Sequence, residues 1–317
     1  MKARSDHPFP ADLSLIRQGD IRSLARAITL IENAMPGSSL LLQNLENKQV
    51  PVIGITGPPG AGKSTLVDAL VKQWVEHNKR LAILCVDPSS SFHSGALLGD
   101  RIRMNRWYNH PLIYIRSLAS RGSAGGLNPR IFEIVSLLSN AGFDHILVET
   151  VGVGQSEVDI AALADQVVLV LVPESGDDIQ GMKSGILEIG DIFVLNKADR
   201  PGASRFLQSL KSSIQLQSAK PFSDLRFLET VAIEDKGIRE LFETIMNNIK
   251  AISPERSLRL LTEKAWQLIL ENRMRGIDRA LLSQQLKGIM DHPDFNLYRF
   301  AEQYYEMPAS QNQFRKS

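Results

Sequence analysis

The stretch Gly57-Pro58-Pro59-Gly60-Ala61-Gly62 runs into Lys63-Ser64-Thr65, and together these residues satisfy the spacing G-x-x-x-x-G-K-[ST]. That spacing has a physical purpose. Glycines let the backbone curl so that successive N–H groups face phosphate oxygens, and a helix starting at the lysine adds the partial positive charge of its N-terminus. Lys63 would reach the β- and γ-phosphates of a nucleotide, and the Ser64 hydroxyl would ligate Mg²⁺. A second group, Asn196-Lys197-Ala198-Asp199, follows about 130 residues later. An aspartate carboxylate accepts two hydrogen bonds from the N1–H and exocyclic amine of guanine, whereas adenine offers no such pair of donors. Asp199 therefore favours GTP over ATP. Asn196 would brace the neighbouring loops, and the Lys197 stem would cover a face of the base.

Three further segments carry groups that a nucleotide triphosphatase needs. Asp87, at the end of an apolar run, and Asp100, in Gly99-Asp100-Arg101, are candidates to hold Mg²⁺ directly or through water. The structural alternatives are that Asp87 caps a turn before Pro88 and that Asp100 is a capping or surface residue. Glu149 also ends an apolar run, where an uncompensated carboxylate is costly unless a cation or hydrogen bonds meet it. In the segment after it, the Gly152 N–H is placed to contact a γ-phosphate. Gln155 is a candidate to orient the attacking water, with an ordinary surface amide as the equal alternative. Lys63, Asp100, Glu149 and Gln155 are thus the candidate catalytic residues, and Ser64, Asp87, Asp100 and Glu149 the candidate metal ligands. The third segment holds Gly176, Asp177, Asp178, Gln180 and Lys183 and reads, on composition, as a solvated helix start.

These residues need a scaffold, and the hydropathy pattern supplies one. Apolar runs at 50–56, 81–86, 112–115, 145–149, 166–172 and 192–196 alternate with helical segments, a pattern that predicts a parallel sheet flanked by helices with ligands at the carboxyl ends of the strands. The fold class is α/β, a P-loop domain over residues 49–252. Residues 1–48 read as a helical extension in which Leu13, Ile16, Ile21, Leu24, Ala25, Ile28 and Ile31 recur at helical spacing. Residues 253–317 read as wholly helical, with Trp266, Leu268, Ile269, Leu270, Leu281, Leu282, Leu286 and Ile289 as candidate buried positions.

Composition bounds the function. The 317 residues carry a net charge of +1 and no long basic run, so a nucleic-acid partner is not expected. One cysteine, Cys85, makes an intrachain disulfide impossible and reads as a small buried side chain. The chain has no signal-like leader and no apolar span of membrane length, so the expected location is the cytoplasm, without a membrane partner.

The order of motifs resembles the MeaB/ArgK family, the GTPases associated with methylmalonyl-CoA mutase, once described as transport-system kinases. The residues that carry the resemblance are G-D-I-R-S-L-A-R-A-I-T-L-I-E (19–32), the phosphate loop, V-D-P-S-S (86–90), G-A-L-L-G-D-R-I-R-M (95–104), R-G-S-A-G-G-L (121–127), V-E-T-V-G-V-G-Q-S-E (148–157), G-D-D-I-Q-G-M-K (176–183) and N-K-A-D. The resemblance implies a homodimeric GTPase chaperone, dimerised through residues 253–317, that couples GTP hydrolysis to loading and protection of an adenosylcobalamin-dependent acyl-CoA mutase. GTP and Mg²⁺ would belong to this chain and adenosylcobalamin to the mutase. It also implies that Asp87, Asp100 and Glu149 form the Mg²⁺ and switch region and that 176–183 is a switch communicating with the mutase. Thr230-Val231-Ala232 stands where the family has a T-S-A-like base loop, so the Ala232 N–H would reach guanine O6, with Val231 beside it. Ser91 and His93-Ser94 depart from the family pattern. The competing readings are a nickel-type metal-delivery GTPase, against which stand one cysteine and six scattered histidines, and a transport-associated kinase, for which no second substrate pocket is evident.

Overall fold

The computed structural model describes residues 12–87, 104–120, 127–150, 156–175, 185–217, 224–249, 254–274, 277–292 and 294–304. Seven short segments, all but the last rich in apolar residues, form strands: β1 (Val52–Thr56), β2 (Leu81–Asp87), β3 (Ile113–Ala119), β4 (His145–Glu149), β5 (Gln166–Leu171), β6 (Ile192–Asn196) and β7 (Arg226–Thr230). They make one sheet in the order β3-β2-β4-β1-β5-β6-β7, and every pairing is parallel. Parallel strands need crossovers on both faces, which is why β1, β5 and β6 are buried along their whole length. The register places Glu149 opposite both Ile55 and Cys85, so the carboxyl ends of β1, β2 and β4 share one rim.

The helices in chain order are α1 (Leu13–Arg17), α2 (Ile21–Glu32), α3 (Ser38–Gln43), α4 (Lys63–Glu76), α5 (Ile131–Ser139), α6 (Ser156–Leu163), α7 (Gly185–Ile189), α8 (Ala203–Gln217), α9 (Ile238–Ile249), α10 (Pro254–Met274), α11 (Arg279–Ile289) and α12 (Leu297–Glu302). Alternate strand residues point to opposite faces. Ile53 and Ile55 pack with Leu66, Leu70 and Trp74 of α4 and with Leu241, Phe242 and Ile245 of α9. Val52, Ile146 and Val148 face the other way, against Leu24, Ile28 and Ile31 of α2 and Ile134, Leu137 and Leu138 of α5. The same α2 starts at Asp20, whose carboxylate accepts a hydrogen bond from the Ser23 N–H at 2.7 Å. A third cluster joins Leu169, Leu171, Phe193 and Leu195 to Phe206, Leu210 and Ile214 of α8.

Three readings of the sequence differ from the structure. Strand β7 was not anticipated: Arg226 and Glu229 point to water and only Leu228 and Thr230 are buried, so an edge strand of this length lacks an apolar run. Ile21 stands at the helical spacing of its neighbours, on the same face as Leu24 and Ile28, but is exposed at the first position of α2. The largest difference lies in the C-terminal helices. The chain divides into two compact units, Met1–Leu260 and Leu261–Ser317. In the second, Trp266, Leu268, Ile269, Leu270, Leu281 and Ile289 are exposed and Leu282 and Leu286 only partly buried. None of the described residues of this unit is fully buried, so helical spacing marks helices there but not burial. Within it, Tyr304 Oη donates to Gln285 and its ring meets Phe300.

Candidate functional site

The phosphate loop leaves β1 at Thr56 and enters α4 at Lys63, between β4 on one side and β5 on the other. Two of its glycines are required by their surroundings. Gly57 has φ +141°, and a Cβ there would lie 2.0 Å from the Val170 carbonyl oxygen. Gly62 has φ +86° at the helix N-cap, and a Cβ there would lie 2.5 Å from Asn196 Nδ2. Both positions therefore allow no side chain.

Lys63 is 6% exposed, and its ammonium donates to the carbonyl oxygens of Gly57 at 2.8 Å and Pro58 at 3.1 Å. The loop thus folds around its own lysine. One residue on, the buried Ser64 hydroxyl donates to Glu149 Oε1 at 2.6 Å. Glu149 itself is 4% exposed at the end of β4, so the hydroxyl and the carboxylate anticipated as metal ligands are in contact. Both are hard oxygen donors, and a carboxylate buried beside a serine suits Mg²⁺. Behind them, Thr150 Oγ1 donates to Thr56 Oγ1 at 2.9 Å and the Thr150 N–H to the Ile55 carbonyl at 3.0 Å, which fixes the ends of β4 and β1 to each other. A cavity of about 440 Å³ opens here, lined by Gly60, Lys63, Ser64, Thr65, Glu149 and Lys197 among others.

The base motif meets the loop from the side. Asn196 ends β6 at 2% exposure and donates from Nδ2 to the Ala61 carbonyl at 2.9 Å. Its Oδ1 accepts from Thr230 Oγ1 at 3.1 Å and from the Ala232 N–H at 3.2 Å. Lys197, at φ +55°, donates from Nζ to the Gly60 carbonyl at 2.8 Å. The Ala232 N–H anticipated as a donor to guanine O6 is held here by Asn196 Oδ1. Val231 is buried, and its N–H donates to the Lys236 carbonyl at 3.1 Å, so it supports the turn from beneath. Asp199 is exposed, with the Lys236 ammonium near enough to feel its charge. Lys236 is held above the usual lysine range by its hydrogen bond to Glu234 first, then by the Glu234 charge, with Asp199 adding to it.

Asp87 ends β2, on the same rim as Glu149, but its side chain lies outside the described residues. Asp100, Gln155 and the segment with Gly176, Asp177, Asp178, Gln180 and Lys183 lie outside them altogether. The structure also brings in residues that the sequence did not suggest. Arg200, directly after Asp199, pairs with Glu174, and this hydrogen bond holds the Glu174 carboxyl below its ordinary range. On α4, Asp68 accepts from Arg106 and, at 2.7 Å, from the Trp107 indole, while Lys72 donates to Asp235 at 2.9 Å. Each is a contact between charges or polar groups far apart in the chain, for which no local signal exists.

With this geometry in hand, comparison with known proteins is informative. Residues 24–274 match the model of the family described as methylmalonyl-CoA mutase-associated GTPase MeaB. A protein of Pyrococcus abyssi named as a GTPase is 41% identical over 286 residues, covering 88% of this chain and 87% of its own. GTPase ArgK of Escherichia coli is 33% identical over 293 residues, covering 89% and 86%. A Caenorhabditis elegans protein named methylmalonic aciduria type A homolog, mitochondrial, is 36% identical over 230 residues, covering 67% and 56%. Among solved structures, that of an LAO/AO transport system kinase superposes with a TM-score of 0.65 at 25% identity, over 92% of this chain and 94% of that one.

Proposed function

Because the chain belongs to the MeaB family of GTPases, we propose that its GTP hydrolysis gates the loading and protection of a cobalamin-dependent acyl-CoA mutase. Its enzymatic class is that of its relatives, a GTPase on a P-loop fold. The observation that carries the mutase role is the family match over residues 24–274, supported by the relative named for methylmalonic aciduria. The client is methylmalonyl-CoA mutase or a mutase acting on a related acyl-CoA, and adenosylcobalamin belongs to that client.

At the site, Lys63 exchanges the carbonyls of Gly57 and Pro58 for the β- and γ-phosphate oxygens, where its charge stabilises the departing diphosphate. Ser64 and Glu149 would hold Mg²⁺, together with Asp87 and Asp100; bound there, the ion would neutralise charge on the phosphates. Asn196 keeps the base strand and the phosphate loop in one frame, and Asp199 selects guanine through its N1–H and amine. Gln155 orients the attacking water. From the resemblance, residues 176–183 carry the nucleotide state to the mutase, and the exposed apolar side chains of α10 and α11 support a homodimer formed by the C-terminal helices. Among the described residues no helix is long and apolar enough to cross a membrane.

The test is GTP turnover by the purified protein, alone and with the acyl-CoA mutase of the same organism, with ATP as control. The expected outcome is slow, GTP-specific turnover that rises when the mutase is present. Turnover indifferent to the mutase would remove the client and leave the GTPase.

A further inference from the structure

Asp68, on α4, holds a stretch of chain 38 positions further on. Arg106 donates to its carboxylate from Nε at 3.1 Å and from Nη2 at 2.6 Å, a forked ion pair, and the Trp107 indole donates to it at 2.7 Å. The Arg106 guanidinium also lies over the Trp107 ring, 4.8 Å from its centroid. Beneath this polar latch the contact is apolar: Met104 is fully buried, Trp107 is 9% exposed, and both join the cluster that α4 builds against β1. The turn Asn105–Trp107 is itself closed by the Trp107 N–H on the Met104 carbonyl at 3.0 Å. With one carboxylate, α4 therefore fixes the chain at residues 104–107.

The place of Asp68 on the helix gives the latch its meaning. It stands four positions after Ser64, so the two side chains share one face of α4, about 6 Å apart along its axis. Asp100 stands four positions before Met104, and a chain of that length spans at most about 14 Å. We propose that Asp68 is a positioning residue for the metal: it fixes to the phosphate-loop helix, one turn from Ser64, the chain end from which Asp100 reaches Mg²⁺. The proposal rests on the reading of Ser64 and Asp100 as metal ligands and deepens it. Tethering that end restricts the positions open to the Asp100 carboxylate before the ion arrives, so less freedom is lost when the ion binds. An ion pair at the surface would do little alone; this one is backed by the indole bond and by two buried side chains. The cavity beside the phosphate loop is lined by other residues, so the latch acts on the metal and not on the nucleotide.

The experiment measures the affinity of the full chain for a non-hydrolysable GTP analogue, in EDTA and then across a Mg²⁺ series. The proteins are the parent, Asp68→Ala, Asp68→Asn, Asp100→Ala and the double variant of Asp68→Ala with Asp100→Ala. Asp68→Ala should raise the half-saturating Mg²⁺ concentration by about tenfold, the scale for a residue that orients a metal ligand. Its affinity in EDTA should match the parent, because the phosphate loop is not touched. Asp68→Asn keeps an acceptor for the indole and loses the ion pair, so it should fall between the two. In the Asp100→Ala background Asp68→Ala should add nothing, since both act through one carboxylate. A parental Mg²⁺ requirement in Asp68→Ala, whatever its Tm, would overturn the proposal and leave the latch a structural contact. A further tenfold loss in the double variant would overturn it too, as would an equal loss with and without Mg²⁺, which marks a disturbed phosphate loop. Asp100→Ala separates the proposal from the reading beneath it. If that variant needs more Mg²⁺ and Asp68→Ala does not, the reading stands and the proposal falls; if Asp100→Ala responds to Mg²⁺ as the parent does, both fall.

Discussion

Replacing Asn196 by alanine should damage stability and nucleotide binding together, and the structure sets the size of the effect. The side chain is 2% exposed and satisfies three groups drawn from two distant places in the chain: the Ala61 carbonyl in the phosphate loop, and the Thr230 hydroxyl and Ala232 N–H at the end of β7. Truncation leaves all three without that partner at a buried position, and each orphaned buried group costs about 1–3 kcal/mol. Water entering from the neighbouring cavity relieves part of this, so about 3 kcal/mol is the expected loss. That is a large part of the ~5–15 kcal/mol by which a protein is stable, and for a domain of this size it lowers Tm by about 6–12 °C. Thermal unfolding without nucleotide, followed by GTP titration, reads both quantities. Thr230→Val, which removes one of the three bonds and leaves Asn196 in place, should lose only about 1 kcal/mol. An Asn196→Ala protein that unfolds within about 2 °C of the parent and binds GTP normally would refute the claim that this residue joins the base strand to the phosphate loop.

Two other predictions concern charge. Glu149→Gln keeps the shape at the end of β4 and an oxygen to accept the Ser64 hydroxyl, but removes the negative charge; GTP turnover at saturating Mg²⁺ should fall at least about 100-fold, while Tm changes little. His145, at the start of β4 with its ring edge-on to Trp74 at 6.0 Å, is held below the ordinary histidine range by burial first, with Lys79 acting the same way and Asp144 against it. Its unfolded value, 6.5, thus lies above its folded one, so the unfolded chain takes up the proton first as pH falls. The stability that this group contributes is complete above about pH 6.5 and drains away as pH falls from there toward the folded value. Tm measured between pH 7.5 and 5.5 should decline in the parent and decline less in His145→Phe, which keeps the ring and loses the titration; parallel curves would exclude His145 as the source.

The parts of the fold that were legible in the sequence are those written in consecutive residues. The phosphate loop, the N-K-x-D turn and the runs that became β1, β2, β4, β5 and β6 each carry their own signal: glycines at fixed offsets, or apolar residues long enough to be buried on both faces. The edge strand β7 has neither, since two of its five side chains face water and a third is only partly buried. Helical spacing identified α10 and α11 but said nothing about what covers their apolar sides, because periodicity records a face and not its occupant. At the site, Lys63, Ser64 and Asn196 were readable as types. The contacts that join them, Ser64 to Glu149 across 85 positions and Asn196 to Ala61 across 135, exist only once the strands are laid side by side.

The two carbonyls gripped by Lys63 have a consequence for turnover. A buried ammonium stripped of its phosphates would be expensive to leave bare, and a loop that relied on nucleotide alone to neutralise it would collapse on product departure. Here Gly57 and Pro58 supply oxygens from within the loop, so the charge of the buried ammonium is met by the loop's own backbone.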